Sequence, residues 1–196
     1  LDLVAGITAP LIVECGTGPS PLGFILHASL MRAGYSPRFV GIEASPAAVT
    51  AARELATRLG LEGVELVTGE LGASDSPSLS SFSPHLLLAV HLCGSAVYDA
   101  IDLGRRSKVG AMVLVPCCAP AGSWEGAGFS YGKAASHDLL RVRLDRVGMI
   151  LSVLQRMTEA GYHVELFETY LPPWREVEIG LLAYRPGGRG KIKAWR

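Results

Sequence analysis

The stretch Leu11-Ile12-Val13-Glu14-Cys15-Gly16-Thr17-Gly18 joins a short apolar run to a turn that contains two glycines. An apolar run ended by glycine is typical of a strand buried in a parallel sheet. Two strands predicted further along end in His91-Leu92-Cys93-Gly94 and in Pro116-Cys117-Cys118. Ligands of open parallel sheets bind in the crevice outside the carboxyl ends of the strands. We therefore expect these three segments to line one pocket.

Strands and helices alternate along the rest of the chain. Strands are predicted at 11–13, 39–42, 64–67, 86–90, 112–115, 163–169 and 177–184. Helices are predicted at 21–33, 45–59, around 99–103, and from 136 to 161, the last with an apolar face formed by Leu140, Leu144, Val147, Leu151 and Leu154. This order predicts an α/β protein with a Rossmann-like, seven-stranded, mostly parallel sheet and an antiparallel edge.

Length and composition indicate one domain with a continuous core. The chain has 196 residues, of which 49% are hydrophobic, and we expect a domain over 1–184 followed by a basic tail over 185–196. The apolar runs are too short to span a bilayer, so we expect no membrane partner. The four cysteines, at 15, 93, 117 and 118, do not form a framework of spaced pairs. Their placement favours an intracellular, reducing compartment, either cytoplasmic or mitochondrial.

Charge is distributed unevenly although the net charge is zero. Residues 1–104 have 4 Lys or Arg against 10 Asp or Glu, whereas residues 105–196 have 14 against 8. The tail alone has five basic residues and no acidic one. One interpretation is a polyanionic partner such as RNA or a ribonucleoprotein, and the other is a solvated terminus. The sequence makes no prediction of oligomeric state.

The glycine turn is unsuited to a phosphate-bearing cofactor. A dinucleotide fingerprint needs a third glycine at the position of Pro21, and no P-loop lysine follows the turn. Pro19 and Pro21 also lack the N–H groups that would bind a pyrophosphate. S-adenosylmethionine (SAM) has no phosphate, and Gly16 and Gly18 allow a turn tight enough to lie beneath it. SAM is therefore the predicted cofactor.

Acidic residues at three successive strand ends agree with this cofactor. Glu14 could accept from the methionine ammonium group, Glu43 from the ribose hydroxyls, and Glu70 from the adenine amino group, with Leu71 packed on the ring. Thr17 within the turn and Ala44 after the ribose acid complete the predicted contacts. The alternative is a Rossmann-like domain whose strand-end acids are merely solvated.

These motifs resemble those of class I SAM-dependent methyltransferases. Glu14, Gly16, Gly18, Glu43 and Glu70 match the cofactor motifs of that family. The segments at 91–94 and 116–118, together with Asp99, are similar to one branch, which contains the eukaryotic tRNA acceptor-stem 2′-O-methyltransferases and related methyltransferase-like proteins. The resemblance implies a transferase that modifies RNA, with His91, Cys93 and Asp99 as catalytic candidates and His91 also near the cofactor. Ser20 between two prolines, and Val97-Tyr98, depart from the branch pattern.

The His/Cys rim has three interpretations. His91 could act as a general base near neutral pH. One His and three Cys could bind zinc, although adjacent cysteines on a strand point to opposite faces, and we predict no resident metal. The cysteines could instead simply pack beneath the cofactor.

Three functions therefore remain open from sequence. The first is a methyltransferase that acts on RNA. The second is a degenerate methyltransferase fold that binds RNA or a ribonucleoprotein without catalysis. The third is a methyltransferase for small molecules or proteins.

Overall fold

The computed structural model describes Val4 and residues 6–19, 21–72, 83–92, 94–119, 123, 138–170 and 177–186. Within them lie seven strands and four helices. In chain order they are β1 (Leu11–Cys15), α1 (Leu22–Arg32), β2 (Arg38–Glu43), α2 (Pro46–Arg58), β3 (Val64–Thr68), β4 (Leu86–Val90), α3 (Ala96–Arg106), β5 (Ala111–Val115), α4 (Asp138–Glu159), β6 (His163–Tyr170) and β7 (Val177–Tyr184).

The strands form one sheet in the order β3-β2-β1-β4-β5-β7-β6. Strands β1 to β5 pair in parallel, whereas β7 is antiparallel to both β5 and β6. The predicted Rossmann-like fold with an antiparallel edge is confirmed. Strand order reverses between β1 and β4, and such a reversal opens a crevice at the carboxyl edge of the sheet.

The sheet is covered on both faces, which explains why β1 is entirely buried. Val13 and Cys15 belong to a core cluster that includes residues of α3 and α4. Ile12 belongs to a second cluster with Phe24 of α1 and Val49 of α2. Because successive strand residues point to opposite faces, a continuous apolar run is what such a strand requires.

The apolar face predicted for α4 is only partly the face that packs on the sheet. Val147 and Leu151 are 44% and 37% exposed, and Leu154 is partly buried against the core, whereas Met149, Val153 and Met157 are fully buried. Helix α4 has two apolar stripes, and the four-residue spacing of the methionine stripe matches a helical face equally well. Which stripe packs on the sheet is decided by tertiary contacts. The buried face is therefore rotated about the helix axis from the predicted apolar face.

Local signals set the other boundaries. Ser45 Oγ accepts from the Ala48 amide at 3.3 Å, so it caps α2 as predicted. After β7, the Arg185 side chain donates to the Val109 carbonyl and lies over the Tyr162 ring, 4.9 Å from its centroid. The first residue of the predicted tail is thus held against the domain, and the tail itself remains a prediction, since residues 187–196 lie outside the described residues. None of the described helices combines the length and apolarity needed to cross a bilayer.

Candidate cofactor site

The loop after β1 is fastened to the end of β2. The amides of Gly16 and Thr17 donate to the Ile42 carbonyl at 2.8 and 3.4 Å. Gly16 and Gly18 have φ angles of 68° and 59°, in the left-handed region that favours glycine. A Cβ on Gly16 would lie only 2.7 Å from Leu92 Cδ1. Close contact with the turn after β4 therefore requires glycine at this position.

Glu14 fastens the same loop to α1. It is 3% exposed, and its two carboxylate oxygens accept from the Leu22 and Gly23 amides at 3.2 and 2.9 Å. These amides belong to the first turn of α1, where Pro21 at the cap position offers no side-chain acceptor. Burial raises the pKa of Glu14 to about 7, although the two amide hydrogen bonds lower it. Glu14 thus has a structural role, and its predicted contact with a methionine ammonium group stays a prediction.

Glu43, at the end of β2, is one of the acids that line the cavity. Its Oε2 accepts from the Gly18 amide at 3.0 Å, and its Oε1 accepts from the Ser45 amide at 2.9 Å. A carboxylate has about four lone-pair sites, so each oxygen retains the capacity for one more donor. The side chain is held between the glycine loop and α2 with its acceptors partly unused.

A cavity of about 560 Å³ opens at the carboxyl ends of β1 to β4. This volume lies within the range of small-molecule sites. Its lining residues are Gly16, Ile42, Glu43, Ala44, Gly69, Glu70, Leu71, Gly72, His91, Leu92, Ala96 and Asp99. The structure therefore brings together most of the predicted cofactor residues at one site.

The charge of the lining is negative. Among the described lining residues, Glu43, Glu70 and Asp99 are carboxylates, and none is Lys or Arg. Such a site disfavours a phosphate group and favours a cationic ligand. This charge pattern agrees with the exclusion of dinucleotides drawn from the two prolines.

Asp99 lies at the β3 end of the cavity. It stands in the first turn of α3, and its Oδ1 lies 2.8 Å from the position that a Cβ on Gly72 would occupy. Gly72 follows the predicted adenine residues Glu70 and Leu71. The chain thus brings Asp99 beside the β3 loop, which the sequence did not predict.

His91 lies at the β4 end of the cavity, and its side chain is exposed. Its φ is 57°, which is uncommon for a residue other than glycine. The His91 amide donates to the Val115 carbonyl at 2.9 Å, and the Gly94 amide donates to the Cys118 carbonyl at 3.1 Å. The turn after β4 is therefore fixed by the end of β5 and by the segment that follows it.

Some predicted residues lie elsewhere. Glu14 and Thr17 are buried outside the lining, and Cys93 lies outside the described residues. Gly18 and the segment 116–118, which was expected to share the pocket, are also outside the lining. Within the part of the chain that the structure describes, no group of three or more His, Cys, Asp or Glu could hold a metal ion.

Four lining residues were missed by the sequence analysis, namely Ile42, Gly69, Gly72 and Ala96, whereas Leu92 lies in the segment 91–94 that was expected to line the pocket. Ile42, Gly69 and Gly72 are direct neighbours of predicted residues, so extending each predicted group by one position would have found them. Ala96 carries no signal of its own.

The chemistry of the lining agrees with an adenosyl ligand. Glu43 keeps acceptor capacity on both oxygens, and the described lining residues include three carboxylates and neither Lys nor Arg. Gly16 and Gly18, with φ angles of 68° and 59°, let the loop turn tightly beside this lining. Loops with these features accommodate a ligand laid across the backbone. The residues present therefore fit SAM, with Glu43, Glu70 and Leu71 as the groups that would hold it.

Comparison with known protein families shows the family to which this chain belongs. The model of a family described as a methyltransferase domain matches residues 3–121, which is more than half of the chain. A search of curated proteins gives no match. The chain thus belongs to the methyltransferase-domain family.

Solved structures agree with this fold at low sequence identity. EvdMO1 is 16% identical with a TM-score of 0.57, and the match covers 91% of this chain but only 38% of EvdMO1. Magnesium protoporphyrin IX methyltransferase of Synechocystis PCC 6803, solved with bound S-adenosylhomocysteine, is 12% identical with a TM-score of 0.55, covering 92% of this chain and 76% of its own. Sp1610 of Streptococcus pneumoniae, a candidate tRNA (m1A22) methyltransferase, is 10% identical with a TM-score of 0.55, covering 98% and 70%.

Family membership, the strand order and the acid-lined cavity define the protein class. The chain is an enzyme domain of the SAM-dependent methyltransferase class, and SAM is its cofactor. The predictions of enzyme class and cofactor are confirmed.

Proposed function

We propose that this domain transfers a methyl group from SAM to RNA, with the cofactor held by Glu43 and the acceptor placed at His91. The observation that carries the proposal is a single cavity with a carboxylate acceptor at the end of β2 and an exposed imidazole at the end of β4. The first suits a ribose diol, and the second suits a proton acceptor.

The cofactor side is assigned to the strand ends nearest β3. Both ribose hydroxyls can donate to Glu43, because each of its oxygens accepts only one amide. Glu70 and Leu71 suit the amino group and the ring of adenine. Asp99 lies at the same end, beside Gly72, so we assign it to the cofactor side.

The acceptor side is assigned to His91. Bound SAM supplies an electrophilic methyl group on a sulfonium. An acceptor hydroxyl held beside the imidazole would lose its proton to His91 as its oxygen bonds to the methyl carbon and the carbon–sulfur bond breaks. Fixing the turn through Val115 and Cys118 keeps the imidazole in place, and positioning supplies much of the rate in such transfers.

Basic residues at the same edge of the sheet as the cavity support an RNA acceptor. Helix α4 leads into β6 at the amino edge of the sheet and has 22 residues, about 33 Å at helical rise, so it begins near the opposite edge, at which the cavity opens. Arg141 and Arg143 in its first two turns are exposed. These guanidinium groups could bind phosphate groups of an acceptor strand that extends along this edge. The resemblance to tRNA methyltransferases in the turns after β4 and β5 supports the same acceptor.

The prolines in the glycine loop do not argue for a cofactor-free scaffold. Pro21 is buried at the start of α1, and neither it nor Pro19 lines the cavity. The amides that a capping side chain would satisfy are bound by Glu14 instead. These two prolines thus leave the cavity open.

The test has two stages. Calorimetry with SAM measures binding, and transfer of a radiolabelled methyl group to total RNA, protein extract and small-molecule pools identifies the acceptor. We expect SAM binding and label in RNA. His91→Ala should abolish transfer while SAM still binds, and His163→Ala, which removes an exposed histidine of β6, should not. Absence of SAM binding would contradict the cofactor assignment. Label found only in protein or small molecules would contradict the proposal that RNA is the methyl acceptor.

A further inference from the structure

Two adjacent thiols follow β5, next to the turn after β4. The Sγ atoms of Cys117 and Cys118 are 3.6 Å apart. Cys118 is exposed, Cys117 is half-buried, and neither is in a disulfide. Cys15, in contrast, is fully buried, and burial raises the pKa of its thiol to about 12. The pair is thus accessible to small reagents where Cys15 is not.

This pair is connected directly to the turn that carries His91. The Cys118 carbonyl accepts from the Gly94 amide at 3.1 Å, and the Val115 carbonyl accepts from the His91 amide at 2.9 Å. Leu92, between these two contacts, packs on Gly16 of the cofactor loop. A change in the backbone at 117–118 therefore acts on one wall of the cavity.

We propose that Cys117 and Cys118 form a redox-modification site, which a low-molecular-weight disulfide oxidises to a disulfide between the two neighbours, and that this oxidation loosens the His91 turn. The effect on SAM binding rests on the proposed function, whereas the oxidation itself does not.

The chemistry is two successive thiol–disulfide exchanges. The exposed Cys118 thiolate attacks one sulfur of a small disulfide such as glutathione disulfide and releases one small thiolate. The neighbouring Cys117 thiolate then attacks the Cys118 sulfur of the mixed disulfide and releases the second. Two cysteine thiols lose two protons and two electrons, and one small disulfide becomes two small thiols.

Geometry makes the product reversible. Adjacent Cα atoms are about 3.8 Å apart, which is shorter than the usual span of about 4.4–6.8 Å in disulfides. The two sulfurs must also approach from 3.6 Å to about 2.05 Å. A strained, exposed disulfide is readily reduced, as regulatory rather than structural disulfides are. The site would therefore respond to the thiol pool of a reducing compartment.

Ring closure alters the torsions on both sides of the 117–118 peptide. The contact between the Gly94 amide and the Cys118 carbonyl is then lost or lengthened. A hydrogen bond of this kind corresponds to about a threefold to tenfold change in an equilibrium constant. We expect oxidation to weaken SAM binding by that factor and reduction to restore it.

Mass spectrometry of the glutathione-disulfide-treated chain tests the oxidation without reference to activity. Trypsin would release Cys117 and Cys118 together in the peptide 109–133 and Cys93 in the peptide 59–105. We expect the first peptide to lose two hydrogen atoms without a cross-link and without a retained glutathione. Cys117→Ala and Cys118→Ala should not show this loss, whereas Cys15→Ala, which keeps the pair, should.

Three results would overturn the proposal. One is a cross-link between the two peptides, which would mean that Cys93 is a partner. Another is a stable glutathione adduct without ring closure. The third is a normally oxidised pair with unchanged SAM affinity, measured by calorimetry before and after treatment with dithiothreitol. A chain that oxidises as described but never binds SAM contradicts the proposed function and not the redox site.

Discussion

The Gly18 amide donates to Glu43 Oε2 at 3.0 Å and so joins the loop after β1 to the acid at the end of β2. The glycine belongs to the loop that we assign to the backbone beneath the ligand, and the acid is assigned to the ribose. Because the contact is made between two parts of the chain, the position of the acid is set by the chain itself. Such preorganisation reduces the ordering that a ligand must impose on binding.

Replacing Glu43 should weaken SAM binding strongly. Glu43→Ala removes the acceptor of two ribose hydroxyls, and hydrogen bonds to a charged group justify about a tenfold to hundredfold rise in the Kd. Calorimetry with SAM gives the Kd. Glu54→Ala, which removes an exposed acid from α2, is the matched control and should bind as the parent does. If the Glu43 variant bound SAM with the affinity of the parent, Glu43 would not be a cofactor-binding residue.

Glu14 should make stability fall as the pH rises. Burial raises its pKa from 4.5 to about 7 in the folded protein, so the folded state binds the proton more tightly than the unfolded chain. Its contribution is fully present below pH 4.5 and is lost as the pH rises through about 7. Urea unfolding across this range should show a shallower decline for Glu14→Gln than for the parent. Parallel curves would mean that Glu14 is ionised throughout.

His85 should make the free energy of unfolding decrease as the pH falls. Its Nδ1 accepts from the Leu11 amide at 3.0 Å, and burial lowers its pKa below 6.5. The unfolded chain then binds the proton more tightly than the folded chain does. The stabilising contribution of neutral His85 is therefore present above about pH 6.5 and is lost as the pH falls through the folded-state pKa.

Asparagine tests this role of His85, since its side-chain oxygen can accept from Leu11 and does not titrate. His85→Asn should reduce the loss of unfolding free energy in acid, whereas His163→Asn, at an exposed position of β6, should not. His27, whose pKa burial also lowers, is present in every variant. If the His85 variant lost as much unfolding free energy in acid as the parent does, His85 would not be the group responsible.

The C-terminal segment should add to RNA affinity through charge. Residues 187–196 contain four basic residues and no acidic one. If they contact phosphates, deleting them should reduce the magnitude of the negative slope of log K for RNA binding against log salt by about 2 to 3. The Kd for SAM should stay the same. Filter binding at several salt concentrations measures the slope. An unchanged slope would identify a solvated terminus.

Strand positions were predictable because each strand is a short apolar run in the local sequence. Strands β4 and β7 begin and end at the predicted residues, and the acid at the end of β2 could be recognised from its place after an apolar run. Parallel strands bring their carboxyl ends to one edge, so the predicted residues at those ends could be expected to share a cavity.

Features that depend on distant contacts could not be predicted. Nothing near Asp99 indicates that it lies beside Gly72, and nothing near Glu14 indicates that it binds the amides of α1 in place of a capping side chain. The buried face of α4 also could not be chosen from the sequence, because both of its stripes are apolar. These outcomes depend on how elements pack, which local patterns do not contain.

A crystal structure of the chain with SAM tests the central claim most directly. We expect both ribose hydroxyls within hydrogen-bond distance of Glu43, the adenine ring against Leu71, and the methyl group directed toward His91. SAM bound away from Glu43, or a cavity closed by the protein's own side chains at saturating SAM, would contradict the account.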